Sequence, residues 1–138
     1  MFTRRRFGAC AVCAAIGLTA SEVKAETQGI QTSGTTRTIL SSTEFPGGKY
    51  ITVLVLGEVA PGATVARHTH PGVESAFVLE GEGVFFVKGQ PDRQFKAMDG
   101  WQIQPEVPHG LRNGNKTTRV AITFVVEKDK PLASPAPE

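Results

Sequence analysis

The chain has little of the residues that usually carry obvious chemistry: 2 Cys, 3 His, 1 Trp and 1 Tyr in 138 residues. Cys10 and Cys13 form a C-x-x-C, but both lie in the small, apolar run Gly8–Ala20. That position assigns them to an export leader rather than to a redox or metal pair. From residue 26 onward there is no cysteine. A disulfide framework and thiolate ligation are therefore excluded, and the mature domain must hold together by its core alone. No apolar run outside the leader is long enough to cross a bilayer, so no stable membrane span is expected after processing. Charge of one sign is also lacking. The formal net charge is +2, from 15 cations and 13 anions. Arg4, Arg5, Arg6 and Lys24 take four of those cations and Glu22 one anion, which leaves eleven against twelve from residue 26 on, a net of −1. The basicity belongs to the leader, and nucleic acid is not an expected partner.

What is present begins with that leader. Thr3-Arg4-Arg5-Arg6-Phe7 is a positive n-region that resembles a bacterial twin-arginine export signal. Val23-Lys24-Ala25 before Glu26 puts small residues where a signal peptidase reads. Residues 1–25 are read as a cleaved signal peptide, and the mature protein as periplasmic or secreted. Residues 26–36, rich in Gln, Gly, Ser and Thr, read as a flexible N-terminal segment. Residues 128–138 carry three prolines and read as an extended Pro-rich tail.

Between them lies one domain, residues 37–127. The 15 glycines and 9 prolines are scattered rather than periodic, and no helical periodicity is convincing. Runs rich in β-branched and aromatic residues recur every 6–12 residues between turn signals such as Pro46-Gly47-Gly48, Pro61-Gly62 and Asn113-Gly114-Asn115. About nine strands result, beginning with Arg37–Phe45 and ending with Thr118–Glu127. The spacing predicts an all-β sandwich or barrel, with a jelly roll as the form that closes most edges.

The chemistry concentrates in Gly62–Gly81. His68 and His70 are two residues apart, so in an extended strand both imidazoles point to one face. Pro71-Gly72 signals a turn, and Glu74 then opens a second strand that is expected to pair back as a hairpin. Two imidazoles and a carboxylate converging this way form a facial metal-ligand set with open positions. On the same alternation, Thr64 and Ala66 are expected inside with His68, and Ala76 and Val78 inside with Glu74. Gly81-Glu82-Gly83 reads as a tight turn that returns Val84–Lys88 as another hairpin strand. The third histidine, His109, follows the rigid loop Pro105–Pro108.

These residues resemble the cupin family. Gly62, His68, His70, Glu74 and Gly81 match the first cupin motif at every spacing. His109 and Asn113 match the second, which departs elsewhere: Met98 and Glu106 stand at its two glycine positions and Gln104 at its proline. The resemblance covers roughly residues 40–127 and points to the small single-domain cupins, grouped with quercetin dioxygenase-like proteins. It implies a double-stranded β-helix with one divalent transition metal ion held by His68, His70, Glu74 and His109. Imidazole and carboxylate ligands suit Fe, Mn, Ni, Co, Cu or Zn and do not choose among them.

Beyond the ligands, Phe85 or Phe86, Trp101 or Ile103, and Leu111 are expected to wall an apolar pocket for a small-molecule substrate. Glu74 is a candidate proton acceptor, and Glu106, three residues before His109, a candidate catalytic carboxylate. Arg67 and Arg112 are expected to point outward. The expected function is a metal-dependent, dioxygenase-type oxidoreductase acting on an enol- or phenol-like compound. The alternatives are a non-oxidative cupin enzyme (decarboxylase, lyase or isomerase) and a non-catalytic ligand-binding or sensing cupin. The resemblance also implies a homodimer, formed through the first strand.

Overall fold

The structure is a computed structural model, and it describes residues 33–137. The leader, Cys10 and Cys13 lie outside the described residues. Ten strands and no helix make up the described chain: β1 (Thr35–Glu44), β2 (Tyr50–Val59), β3 (Thr64–Thr69), β4 (Gly72–Glu80), β5 (Glu82–Val87), β6 (Arg93–Lys96), β7 (Gly100–Ile103), β8 (His109–Asn113), β9 (Thr118–Glu127) and β10 (Ser134–Pro135). They form two five-stranded sheets, ordered β1-β2-β9-β4-β7 and β10-β3-β8-β5-β6. All pairings are antiparallel.

From β2 to β10, every connection except β5–β6 changes sheet. This alternation winds the chain as a jelly roll, the all-β architecture expected from the strand spacing. It also overturns the two expected hairpins around the site. β3 and β4 lie in different sheets, as do β4 and β5. Pro71-Gly72 and Gly81 are corners between sheets, not hairpin turns. Gly81 has φ +95°, and a Cβ there would meet the Thr118 hydroxyl at 2.0 Å and its Cα at 2.6 Å. A side chain would be strained and would collide with β9, so the corner requires glycine.

Period-2 patterning supplies the core. On β2, Val53, Val55 and Val59 are buried; on β9, Thr118, Val120, Phe124 and Val126 are buried. Burying each large apolar side chain contributes about 1.5–3 kcal/mol. The interior divides into two clusters. One joins Val59, Val65, Val78, Phe85, Leu111 and their neighbours; the other joins Val53, Val55, Phe124 and Val126.

One expectation of alternation fails for a local reason, and one open choice is resolved. In β3 the register with β8 shifts between Val65 and His68, so three steps of β3 oppose two of β8. This bulge turns Val65 and His68 inward together and leaves Thr64 and Ala66 exposed. On β5, Phe85 faces the core, whereas Phe86 lies on the outer face over Gly110, where a Cβ would touch its ring at 2.6 Å. The guanidinium groups of Arg67 and Arg112 stand 5.4 and 5.2 Å from the Phe86 ring centroid. Both arginines are thus outside the barrel, as expected, and they cover a phenylalanine that is not a pocket wall.

The ends of the domain also differ from expectation. β1 starts at Thr35, inside the segment read as flexible. The tail read as extended returns to the barrel: β10 pairs with β3 through Ser134↔Thr69 and Pro135↔His68, and Ala133 is buried. A two-residue strand with a proline blunts the edge of β3 while leaving no long edge of its own.

Candidate metal centre

His68, His70, Glu74 and His109 are all buried, and one ligand atom from each lies within 4.8 Å of the others. The ligands come from both sheets. His68 and His109 sit opposite each other on β3 and β8, His70 follows β3, and Glu74 is on β4. The first sequence motif therefore supplies the site across a sheet-to-sheet corner. The set joins the two core clusters: the His70 ring lies 4.6 Å from that of Phe124, and His109 lies 6.1 Å from Phe85.

Three backbone carbonyls set the rings. His68 Nδ1 donates to Ala66 O at 2.8 Å, His70 Nδ1 to Leu132 O at 2.6 Å, and His109 Nδ1 to Val107 O at 2.8 Å. A carbonyl can only accept, so each Nδ1 carries a proton and each ring turns its Nε2 toward the centre of the cluster. The Ala66 carbonyl is available because the β3 bulge exposes it. The Leu132 carbonyl comes from the tail, 62 residues beyond His70 in sequence.

Glu74 Oε2 lies 3.0 Å from His70 Nε2 and 3.2 Å from His109 Nε2. The first contact is close but misaligned, and His70 Nε2 has no hydrogen-bond partner. Two imidazole nitrogens converge on one carboxylate oxygen, His109 Nε2 hydrogen-bonded to it and His70 Nε2 left without a partner, an arrangement that a bound cation would satisfy. Around a single ion, bonds of roughly 2.0–2.2 Å place ligands about 3–4.4 Å apart, close to what these atoms show. The donor set thus fits a divalent transition metal ion on its own geometry.

Electrostatics keep His68 and Glu74 in metal-binding form. Burial pushes the His68 ring down from 6.5 to about 3, with His109, His70 and Arg37 acting in the same direction against the Ala66 hydrogen bond. His68 is neutral at any ordinary pH. Burial alone would raise the Glu74 carboxyl, but its contacts with His109 and His70 outweigh that and hold it below the usual carboxylate range.

Sequence reasoning missed three parts of the site. Trp101 was expected as a wall; its Nε1–H also donates to Glu74 Oε1 at 3.0 Å, while its ring stacks on Phe85 at 4.4 Å between centroids. Leu132 lay in a segment read as tail. Arg37 lines the cavity from β1. The pattern gave one weak signal for Arg37: it alternates with Ile39 on the inward-facing side of its strand. Of the other expected walls, Leu111 lines the cavity and Ile103 lies in the adjoining cluster. Ala76 and Val78 are buried beyond Glu74 on β4. Glu106 is exposed, and what it gives the site is its backbone N–H, which donates to His70 O at 2.9 Å. Asn113 is structural: Nδ2 donates to the Val59, Ala60 and Lys116 carbonyls at 2.9, 2.8 and 2.8 Å, and Oδ1 accepts from the Thr118 hydroxyl at 2.6 Å.

The cavity above the ligands has a volume of about 50 Å³. Its lining is apolar apart from the four ligands, Thr35, Arg37 and the indole N–H of Trp101. The profile of the cupin domain matches residues 55–126. No curated protein matches the sequence. Among solved structures, the chain is similar to the DMSP lyase DddQ from Ruegeria pomeroyi, with 18% identity and a TM-score of 0.63 over 75% of this chain and 52% of that one. It is similar to a cupin-like protein from Thermotoga maritima, with 25% identity and a TM-score of 0.62 over 76% of this chain and 77% of that one. It is also similar to the polyketide cyclase RemF from Streptomyces resistomycificus, with 21% identity and a TM-score of 0.59 over 76% and 72%. The chain spans about half the length of the lyase. The likenesses to the lyase and the cyclase are likenesses of fold.

Proposed function

The chain belongs to the cupin family, and on that premise we propose a metal-dependent oxidoreductase of the dioxygenase type that acts on a small enol- or phenol-like substrate. The supporting observation is the cavity lining. It offers four metal ligands but no Lys, Tyr, Cys or second carboxylate. A decarboxylase, lyase or isomerase needs a positioned acid or base beyond the ligands. An ion bound by His68, His70, Glu74 and His109 would supply Lewis acidity and, for a redox-active metal, electron exchange with O2. The chain's own residues prepare that chemistry. The three carbonyl acceptors aim the Nε2 atoms, Trp101 orients Glu74, and Phe85, Val120 and Leu111 keep bulk water out.

Elemental analysis followed by oxygen-electrode screening with flavonols, catechols and β-diketones tests the reading. Oxygen uptake that requires the bound metal supports it, and protein that takes up no metal sinks it. The non-oxidative alternative draws support from the lyase and cyclase likenesses in fold, with Glu74 as the one buried carboxylate among the described residues able to accept a proton. Product formation or CO2 release without oxygen uptake would establish it in place of the first. Tight ligand binding without turnover would establish a sensing module.

Two further parts of the proposal concern where and how the protein works. The Arg-rich leader supports export to the periplasm. Leu40, Phe45 and Leu54, exposed on the β1–β2 edge hairpin, support a homodimer through that edge. Light scattering on the mature protein, with Leu40→Glu as the disrupting variant, tests the second.

A further inference from the structure

Arg37 has no obvious structural task. It sits on β1 opposite Gly57, with Thr35 two residues earlier opposite Val59. Both β1 residues line the metal cavity together with Gly57 and Val59. Gly57 has no side chain, and the Ile122 side chain closes over it: a Cβ there would come within 3.3 Å of Ile122. Among the described residues no carboxylate forms an ion pair with Arg37. Glu74 is the anion whose field reaches it, and Glu74 is already engaged by His70, His109 and Trp101. A guanidinium drawn out of water without a partner is costly. Burial accordingly pulls its pKa below the ordinary value, although an arginine stays charged.

The charge balance makes the cost larger once the centre is loaded. A divalent ion with three neutral imidazoles and one carboxylate leaves a net positive charge on the centre. Arg37 adds a second on the same small cavity. An apolar cavity with two facing positive centres and one committed anion is complementary to a small anion. The guanidinium fork matches a planar carboxylate in two hydrogen bonds.

We propose that Arg37, beside Thr35 on β1, is an anion subsite that selects a substrate carrying a carboxylate, held between β1 and the metal centre. This rests on the metal-centre reading of the cavity and narrows its substrate class. In a cavity of about 50 Å³, short acids with a second oxygen donor are the simplest molecules that fit.

The test compares glycolate with glycolamide, which share size and donor pattern and differ in charge. Affinities are measured by calorimetry on metal-loaded wild type, Arg37→Met and Arg37→Lys, with metal content determined on every sample. Wild type is expected to prefer glycolate by about ten- to a hundredfold, the range for a hydrogen bond to a charged partner. Arg37→Met is expected to lose most of that preference, keeping only what the net charge of the loaded centre contributes, while keeping its metal and its glycolamide affinity. Arg37→Lys, which keeps the charge without the fork, is expected to retain part of it. Equal affinity of wild type for the two probes overturns the subsite, as does an unchanged preference in Arg37→Met. Wild type that holds no metal overturns the metal reading instead. In that case the dependence of the preference on Arg37 is still read on the same samples.

Discussion

Met98 and Glu106 are the only non-glycine residues with positive φ among those described, at 75° and 61°. They occupy the two positions where the second cupin motif has glycine. The loop geometry of the motif is therefore kept without the residue that makes it easy. An L-residue in the left-handed region costs about 1–2 kcal/mol. Replacing it by glycine removes that cost but loosens the unfolded chain by about 0.4–1 kcal/mol. Met98→Gly and Glu106→Gly are each expected to gain about 0.8 kcal/mol, the difference between the mid-values of those two ranges. Their side chains are exposed, so little packing is lost. The two turns share no hydrogen-bond partner, since Met98 N–H donates to Val78 O and Glu106 N–H to His70 O. The gains should therefore add to about 1–2 kcal/mol in the double variant. For a domain of this size 1 kcal/mol moves the melting temperature by roughly 4–8 °C. Thermal and urea unfolding of the metal-free protein, followed by circular dichroism, measures the effect. Met98→Ala and Glu106→Ala serve as controls, because alanine keeps the strain. Glycine variants no more stable than the alanine variants would refute the reasoning. The same Glu106→Gly protein reports on catalysis: retained turnover removes Glu106 as an acid or base, and lost turnover at full metal content restores it.

Other outcomes follow from the site. Trp101→Phe keeps the stack on Phe85 but removes the donor to Glu74 Oε1; metal affinity is expected to fall by about 10–100-fold, read by competition with a chelator. Truncation before Lys128 removes β10 and the Leu132 carbonyl that orients His70; reduced metal affinity in a still-folded protein is expected, and unchanged affinity would show that the tail does not position His70. Stability should also fall in acid. The His68 pKa is depressed in the folded state, so the unfolded chain takes the proton first. The stability is full above about pH 6.5 and is lost toward about pH 3, at up to about 1.4 kcal/mol per unit. Glu74, also depressed, adds in the same direction below its ordinary value of 4.5. Urea midpoints of the metal-free protein that stay flat from about pH 8 to about pH 4 would contradict this sign.

The four residues of the buried cluster were legible because their chemistry is local. His68, His70 and Glu74 fall within seven residues, period-2 alternation aligns the first two, and His109 is the one histidine left. The all-β class was legible for the same reason, from short β-branched runs between Gly and Pro. Strand pairing was not. Whether Gly81 makes a hairpin or a corner depends on which sheet β5 joins, and that is settled by β8 and β6 rather than by the turn. The bulge that turns Val65 inward arises from closure against β8, so no alternation count within β3 could show it.

The sequence by itself determined which atoms can bind a metal and that strands would carry them. Tertiary structure alone decided what holds those atoms in place. The Leu132 carbonyl, the Trp101 indole and the Arg37 guanidinium reach the centre from the tail, β7 and β1. Their contributions depend on contacts between distant segments, and such contacts exist only once the barrel has closed.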